Sequence, residues 1–184
     1  MRTYALLYRC LAVFVPNLGL ALVGGCATPA RPEQMATQTL VQQAPSVLLE
    51  KLAIGEVTGG KATNPMMFAD VGNAQLREAL RLSLLQAGYL NPAPEAATLT
   101  LTVGVVGVDR PSAGYTTTVT TLIRYVLTEK ADAKSVFDEL VSGACTLNLS
   151  DEYYGQSRLK HAEECAVRNN ITAFLSMLSA GGVK

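Results

Sequence analysis

Between Thr98 and Thr128 the chain changes character at almost every step. Thr98-Leu99-Thr100-Leu101-Thr102-Val103 alternates hydroxyl and aliphatic side chains, and Val105 prolongs the apolar series. Asp109-Arg110-Pro111-Ser112-Ala113-Gly114 reads as a turn, after which Val119, Thr121, Ile123, Tyr125 and Leu127 recur at period two. Thr116, Thr118, Thr120 and Arg124 fall between them. Successive side chains of a strand point to opposite faces. The pattern therefore predicts two neighbouring strands with one face on a core and the other toward water or a partner. A charged connection, Glu129 to Lys134, leads to a third and less regular strand from Ser135 to Leu147. An antiparallel sheet is the framework into which the rest must fit.

Two other segments carry helical periodicity. Leu76, Ala79, Leu80, Ser83, Leu84 and Ala87 lie at i, i+3, i+4, i+7, i+8 and i+11, one stripe of an amphipathic helix. Asn73, with Asp70 as rival, is its expected N-cap, and Gly88 its left-handed stop. A last helix is predicted from Ser157 to Leu178, with Leu159, Ala162, Ala166, Asn170, Phe174 and Leu178 in a stripe widened by Val167, Ile171 and Leu175. Ser46 to Val57, closed by Gly59-Gly60, reads as a first strand. The order strand, helix, three strands, helix predicts an α+β two-layer sandwich, β-α-β-β-β-α, with a mostly antiparallel sheet and two helices on one face. At 184 residues the chain is sized for one such domain, expected over residues 46–184.

What precedes it is different. Of the first 25 residues only Arg2 and Arg9 are charged, and an apolar stretch from Cys10 runs to Leu22-Val23-Gly24-Gly25-Cys26. About 16 residues are too few to cross a bilayer, which takes ~20, whereas a basic start and a small-residue end mark a secretory signal. The last residues resemble the lipobox of bacterial lipoproteins, an aliphatic residue and two small ones before an acylated cysteine. Val23 and Gly24 depart from the commoner Leu and Ala or Ser. The resemblance implies a signal peptide over residues 1–25, a thioether-linked diacylglyceryl group and fatty acyl chains such as palmitate on Cys26, and anchorage in the membrane through that lipid. Ala27, where Asp tends to hold lipoproteins at the inner membrane, implies the periplasmic face of the outer membrane. Residues 26–45, polar and interrupted by Pro29, Pro32 and Pro45, are expected to be a flexible tether, because such a segment buries too little to offset its ordering entropy. About 19 residues could then hold the domain as far as 60–70 Å from the bilayer.

Charge and cysteines narrow the function classes. Fifteen basic and fifteen acidic residues form no basic excess for nucleic acid. Export removes Cys10 and acylation uses Cys26, leaving Cys145 and Cys165. In an oxidising compartment they are expected to form a disulfide, with two buried thiols as the alternative. Gly55-Glu56-Val57-Thr58-Gly59-Gly60-Lys61-Ala62 follows the phosphate-cradling G-x-x-x-x-G-K pattern but puts Ala62 where a magnesium-binding hydroxyl is required. It reads as a glycine turn after a strand. His161, the sole histidine, has no nucleophile or orienting acid at a useful spacing. Glu163 and Glu164, adjacent on a helix, point apart and read as solvated. We expect no catalytic set, no metal site and no cofactor, and no binding residues are assigned.

Gly59-Gly60-Lys61-Ala62-Thr63-Asn64-Pro65, the helix from Arg77 to Gly88, and Ala162-Glu163-Glu164-Cys165-Ala166-Val167-Arg168-Asn169-Asn170-Ile171 together resemble poorly characterised outer-membrane lipoproteins of proteobacteria. The element order is also similar to the small α+β domains of envelope-assembly lipoproteins, including the lipopolysaccharide-assembly type. The resemblance brings no catalytic residues. It implies a non-enzymatic binding or accessory module with a protein partner in the envelope, for which the Thr-rich sheet face is the expected docking surface. The alternative is a small envelope enzyme acting on cell-wall or lipid substrates. A pocket with convergent polar side chains would favour the enzyme, and a flat face with an exposed edge the module.

Overall fold

The computed structural model describes residues 28–37, 43–63, 70–110 and 115–181. Its elements in chain order are α1 (Pro32–Met35), β1 (Leu52–Thr58), α2 (Asn73–Gln86), β2 (Leu99–Asp109), β3 (Thr116–Glu129), β4 (Ser135–Asn148) and α3 (Gly155–Ser179). A short 3-10 turn, Pro94–Ala96, lies between α2 and β2.

The alternation of the central strands becomes a sheet with an inside and an outside. Val119, Thr121, Ile123, Tyr125 and Leu127 of β3 are buried, as are Leu99, Leu101 and Val103 of β2. Among the described residues the strands lie in the order β1-β2-β3-β4. β1 pairs parallel with β2, and β2, β3 and β4 pair antiparallel in turn. The parallel pair follows from the insertion of α2, since parallel neighbours need a long crossover. β1 is shorter than expected: residues 46–50 form turns, and the strand begins at Leu52. Bulges shift the register between Ile54 and Val57 and between Val105 and Gly107, leaving Val106 exposed.

Both long helices cover the inner face. The stripe Leu76, Ala79, Leu80, Ser83 and Leu84 of α2 is buried, and α2 packs on β1. Gly88 ends this helix at φ +79°, with Tyr89 N–H donating to Leu84 O and Gly88 N–H to Leu85 O. That double bond pattern is the Schellman stop. Its start differs from expectation. Gly72 is the N-cap and Asn73 is already helical, because the Asn73 side chain accepts instead from the Gly60 N–H at 2.7 Å, tying α2 to the turn after β1.

α3 packs on β3 and β4 with unusual closeness. A Cβ on Gly143 would lie 2.5 Å from Ala166 O and against Asn170 N, both backbone atoms of α3. At this contact Asn170, fully buried, donates to Val141 O (2.8 Å) and Thr121 O (3.2 Å) and accepts from Tyr125 Oη (2.8 Å). One turn on, Phe174 stacks on Tyr125 with centroids 4.0 Å apart. A buried amide is tolerated because its polar atoms are satisfied.

The expected tether needs correction over its described part. Residues 28–37 form a strap across the outside of both helices. Met35 is fully buried and Ala30 and Ala36 nearly so, and α1 packs on α2 and α3. The composition argument failed because three buried apolar side chains and a series of polar ties suffice when two helices already offer a cleft. Residues 38–42 lie outside the described residues, as do 1–27 with the expected signal peptide and Cys26.

The Gly143 contact generates a clear expectation. Gly143→Ala forces helix and strand apart, and should cost about 3 kcal/mol, the upper part of the usual overpacking range. Nothing lies within 4 Å of a Cβ at Gly107, so Gly107→Ala should stay within about 1 kcal/mol. Urea melts of both variants check this, and equal midpoints would contradict the close docking.

Candidate functional site

The polar groups with the most unusual surroundings gather where β2 ends, beside the loop entering α2 and the flank of α3. Arg110, just past β2, donates through Nη2 to Asp70 Oδ1 at 2.6 Å and to Glu163 Oε1 at 2.7 Å. Glu163 Oε1 also accepts from the Val71 N–H. Glu163 is only 1% exposed, so its expected solvation is corrected. Glu164, 2% exposed, is corrected as well: it accepts from the Arg31 N–H at 2.8 Å and pairs with the Arg31 guanidinium at 3.2 Å. Two neighbouring helical acids are both buried because α3 is covered on two flanks, one by the Asp70–Arg110 region and the other by the strap. Burial pushes the Glu163 carboxyl above its ordinary value, with the Arg110 hydrogen bond and charge pulling back and the Asp70 charge adding to the rise.

A cavity of about 110 Å³ adjoins this cluster, lined among others by Gly60, Lys61, Asp70, Arg110 and Glu163. Glu163 Oε2 and Arg110 Nε are buried without a hydrogen-bond partner. One acceptor and one donor left over in so small a space suit a bridging water. Sites for drug-sized ligands run from about 300 Å³ upward. The cluster thus acts first as a clamp joining β2, the α2 entry and α3. The glycine turn read after β1 is in place, with Gly59 at φ +78°, and Lys61 is exposed at the cavity rim.

The other sequence candidates lie apart from this cluster. His161 Nδ1 stands 3.4 Å from Glu152 Oε2 and is half exposed. It lines an open depression of about 280 Å³ with Arg31, Glu164, Cys165 and Arg168. Cys145 and Cys165 are bonded, with their Cα atoms 5.7 Å apart, joining the end of β4 to the first half of α3. The uncovered sheet face carries Thr100, Thr102, Thr116, Thr118 and Thr120, and Thr118 and Thr146 hydroxyls meet at 2.9 Å. Thr98 does not belong to it, since it precedes β2. Leu122 and Leu140 add exposed apolar area there.

Sequence reasoning missed Arg110 and Glu163. In the sequence Arg110 reads as part of a turn. Glu163 carried a usable signal: it lies four residues before Val167 and eight before Ile171, on the widened flank of the buried stripe.

The sequence matches no protein-family model and no curated protein. Solved structures do share the fold. A Xanthomonas campestris protein of the DUF330 family is similar with a TM-score of 0.62 at 14% identity, over 85% of this chain and 97% of that one. A candidate lipoprotein from Caulobacter crescentus is similar with a TM-score of 0.52 at 13% identity, over 74% and 93%. At such identities the likeness is one of fold.

Two outcomes follow from the site. The raised Glu163 pKa means that the fold favours its protonated form. The corresponding stability is fully present below the ordinary glutamate range and is lost as pH rises through the folded value. Melting temperatures from about pH 4 to about pH 8 should therefore show the parent losing ground to Glu163→Gln as pH rises, and a constant gap would contradict a buried, shifted Glu163. The disulfide closes a sequence separation of 20. Replacing both cysteines by serine should cost ~3 kcal/mol, and non-reducing peptide mass spectrometry should find Cys145 linked to Cys165. Two free thiols after oxidising isolation would contradict the bond.

Proposed function

We propose that this chain is a lipoprotein of the outer membrane, held on its periplasmic face by acyl chains on Cys26, and that it serves as a non-enzymatic binding or accessory module for a protein partner in the envelope. The observation that carries the binding role is the uncovered sheet face. Both long helices pack on the inner face, so the outer one presents a broad array of threonine hydroxyls with Leu122 and Leu140 set among them. Leu140 pairs with Arg124 and Leu122 with Ser142 across β3 and β4, so the two leucines are diagonal neighbours. A hydroxyl-lined face with a small apolar centre and a polar rim has the layout of a protein interface. The lipobox-like ending at Cys26 supports the anchorage, and the fold shared with the Caulobacter crescentus candidate lipoprotein accords with it.

The competing reading, an enzyme acting on cell-wall or lipid substrates, draws on Lys61, Asp70, Arg110 and Glu163 around their cavity. We favour the module because Arg110 is already engaged by two carboxylates and Glu163 lies deep beneath it.

Cys26→Ser should abolish labelling by a clickable fatty acid and leave uncleaved precursor, since the thioether needs sulfur. Thr118→Lys combined with Leu140→Lys should lower crosslinked capture of the envelope partner about tenfold, because buried unpaired charge is costly at an interface, without lowering the melting temperature. Lys61→Ala and His161→Ala should capture normally. Normal capture by the lysine pair together with loss of activity in Lys61→Ala would replace the module by the enzyme.

A further inference from the structure

The strap is tied down along its whole described length. Lys160 Nζ donates to Thr28 Oγ1 at 2.6 Å, Arg31 pairs with Glu164, Arg168 Nη1 donates to Gln34 O at 2.7 Å, and Thr37 N–H donates to Ser83 Oγ at 3.0 Å. The first three contacts fall every third residue of the strap and every fourth of α3. The strap therefore runs parallel to α3, and its start lies toward the helix N-terminus. Farther on, Ala44 N–H donates to Ala87 O at the opposite end of the helical layer.

This direction fixes where the lipid enters. Cys26 is two residues before Thr28, a reach of at most about 7 Å. Lys160 is five residues into α3, about 7.5 Å from its start. On the lipoprotein reading, the chain therefore enters the strap from its acylated end through Thr28, beside the start of α3.

That same end carries the exposed aromatic side chains. Of the five tyrosines among the described residues, Tyr89 and Tyr125 are fully buried. The other three, Tyr115 at 82%, Tyr153 at 74% and Tyr154 at 72% exposure, lie there with half-exposed Leu149. Tyr153 and Tyr154 pack edge to face at 5.7 Å, and Tyr115 precedes Thr116, which pairs with Asn148 at the end of β4. Tyrosine suits the headgroup level of a bilayer, with an apolar ring and a polar tip. Exposed Lys61 is offset there by Asp109 and Asp151, so the chemistry is that of a zwitterionic phospholipid surface rather than of an anionic one.

We propose that the strap holds the acylated N-terminus at the α3 start and thereby lays Tyr115, Leu149, Tyr153 and Tyr154 against the phospholipid surface that takes up the acyl chains. This rests on the lipoprotein reading above and replaces a free tether by a fixed orientation, with the long axis of α3 rising from the membrane and the hairpin between β3 and β4 at the distal end.

The chain has no tryptophan, so a single one reports its own position. The acylated full-length protein, as Tyr154→Trp or as the distal control Leu85→Trp, is reconstituted in phosphatidylcholine vesicles with and without brominated phosphatidylcholine. Tyr154→Trp emission should fall about twofold in brominated vesicles, as expected at the headgroup boundary, while Leu85→Trp stays unchanged. Adding Arg31→Ala and Lys160→Ala to Tyr154→Trp should remove most of that quenching while flotation with vesicles persists. Acylated protein that floats but shows no quenching of Tyr154→Trp would overturn the docking and leave the lipoprotein reading standing. Full quenching after the strap is released would overturn the role of the strap. Protein without an acyl group by mass spectrometry, failing to float, would overturn both readings together.

Discussion

Everything in this domain is positioned by the contact between α3 and the strand beneath it at Gly143. A helix normally rides on the side chains that stand between it and a sheet. Here a strand residue without a Cβ lets the helix backbone settle onto the sheet, and Thr121 Oγ1 reaches both Gly143 O and Ala166 O. Asn170 then serves as a key, because its amide can satisfy two strand carbonyls and the Tyr125 hydroxyl in one register only. A shift of α3 by one residue would leave those groups unpaired in a dry interior, at about 1–3 kcal/mol each. Specificity of docking, more than added stability, is what the buried amide supplies.

The helix so fixed sets the geometry of both its flanks. On one side Glu163 meets Arg110 and Asp70, and on the other Glu164 meets Arg31 of the strap. Adjacent residues on a helix are about 100° apart, so one helix carries two buried acids only if a broad arc is covered. The disulfide from Cys165 to Cys145 adds a third connection in the same stretch. The consecutive residues Glu163, Glu164 and Cys165 therefore tie α3 to three different parts of the chain. Removal of one partner would leave a desolvated charge, which is why these ion pairs constrain the arrangement more than they add to its stability.

The sheet, its inner face and the helical stripes were legible because each rests on a local period. Val119 to Leu127 and Leu76 to Leu84 are buried where alternation and the i, i+3, i+4 rule put them. The strap was not legible, since burial of Met35 depends on a cleft between α2 and α3 that no local pattern announces. Arg110 was hidden for a related reason: a residue at a strand end looks like turn chemistry until the partner elements are placed. Glu163 shows the opposite error, in which residue type overrode a helical position that already pointed inward. The start of α2 failed more narrowly, because the Asn73 side chain was claimed by the Gly60 N–H, 13 residues away.

The uncovered sheet face presents a solubility problem that its composition resolves. A bare face of aliphatic residues would invite self-association, and a bare edge strand would invite pairing with another chain. Threonine keeps high strand propensity while offering hydroxyls, and these are partly engaged with each other, as between Thr118 and Thr146. The edge strand β4 carries Asp138, held by Nε and Nη2 of Arg124 at 2.7 Å each, and next to it exposed Glu139. Charges there discourage a second copy of the same edge in the registers that would set Asp138 and Glu139 opposite their own counterparts. A partner of opposite edge charge meets no such penalty. The face is thus guarded against itself without being closed to others, which is the condition that the docking surface proposed above has to meet.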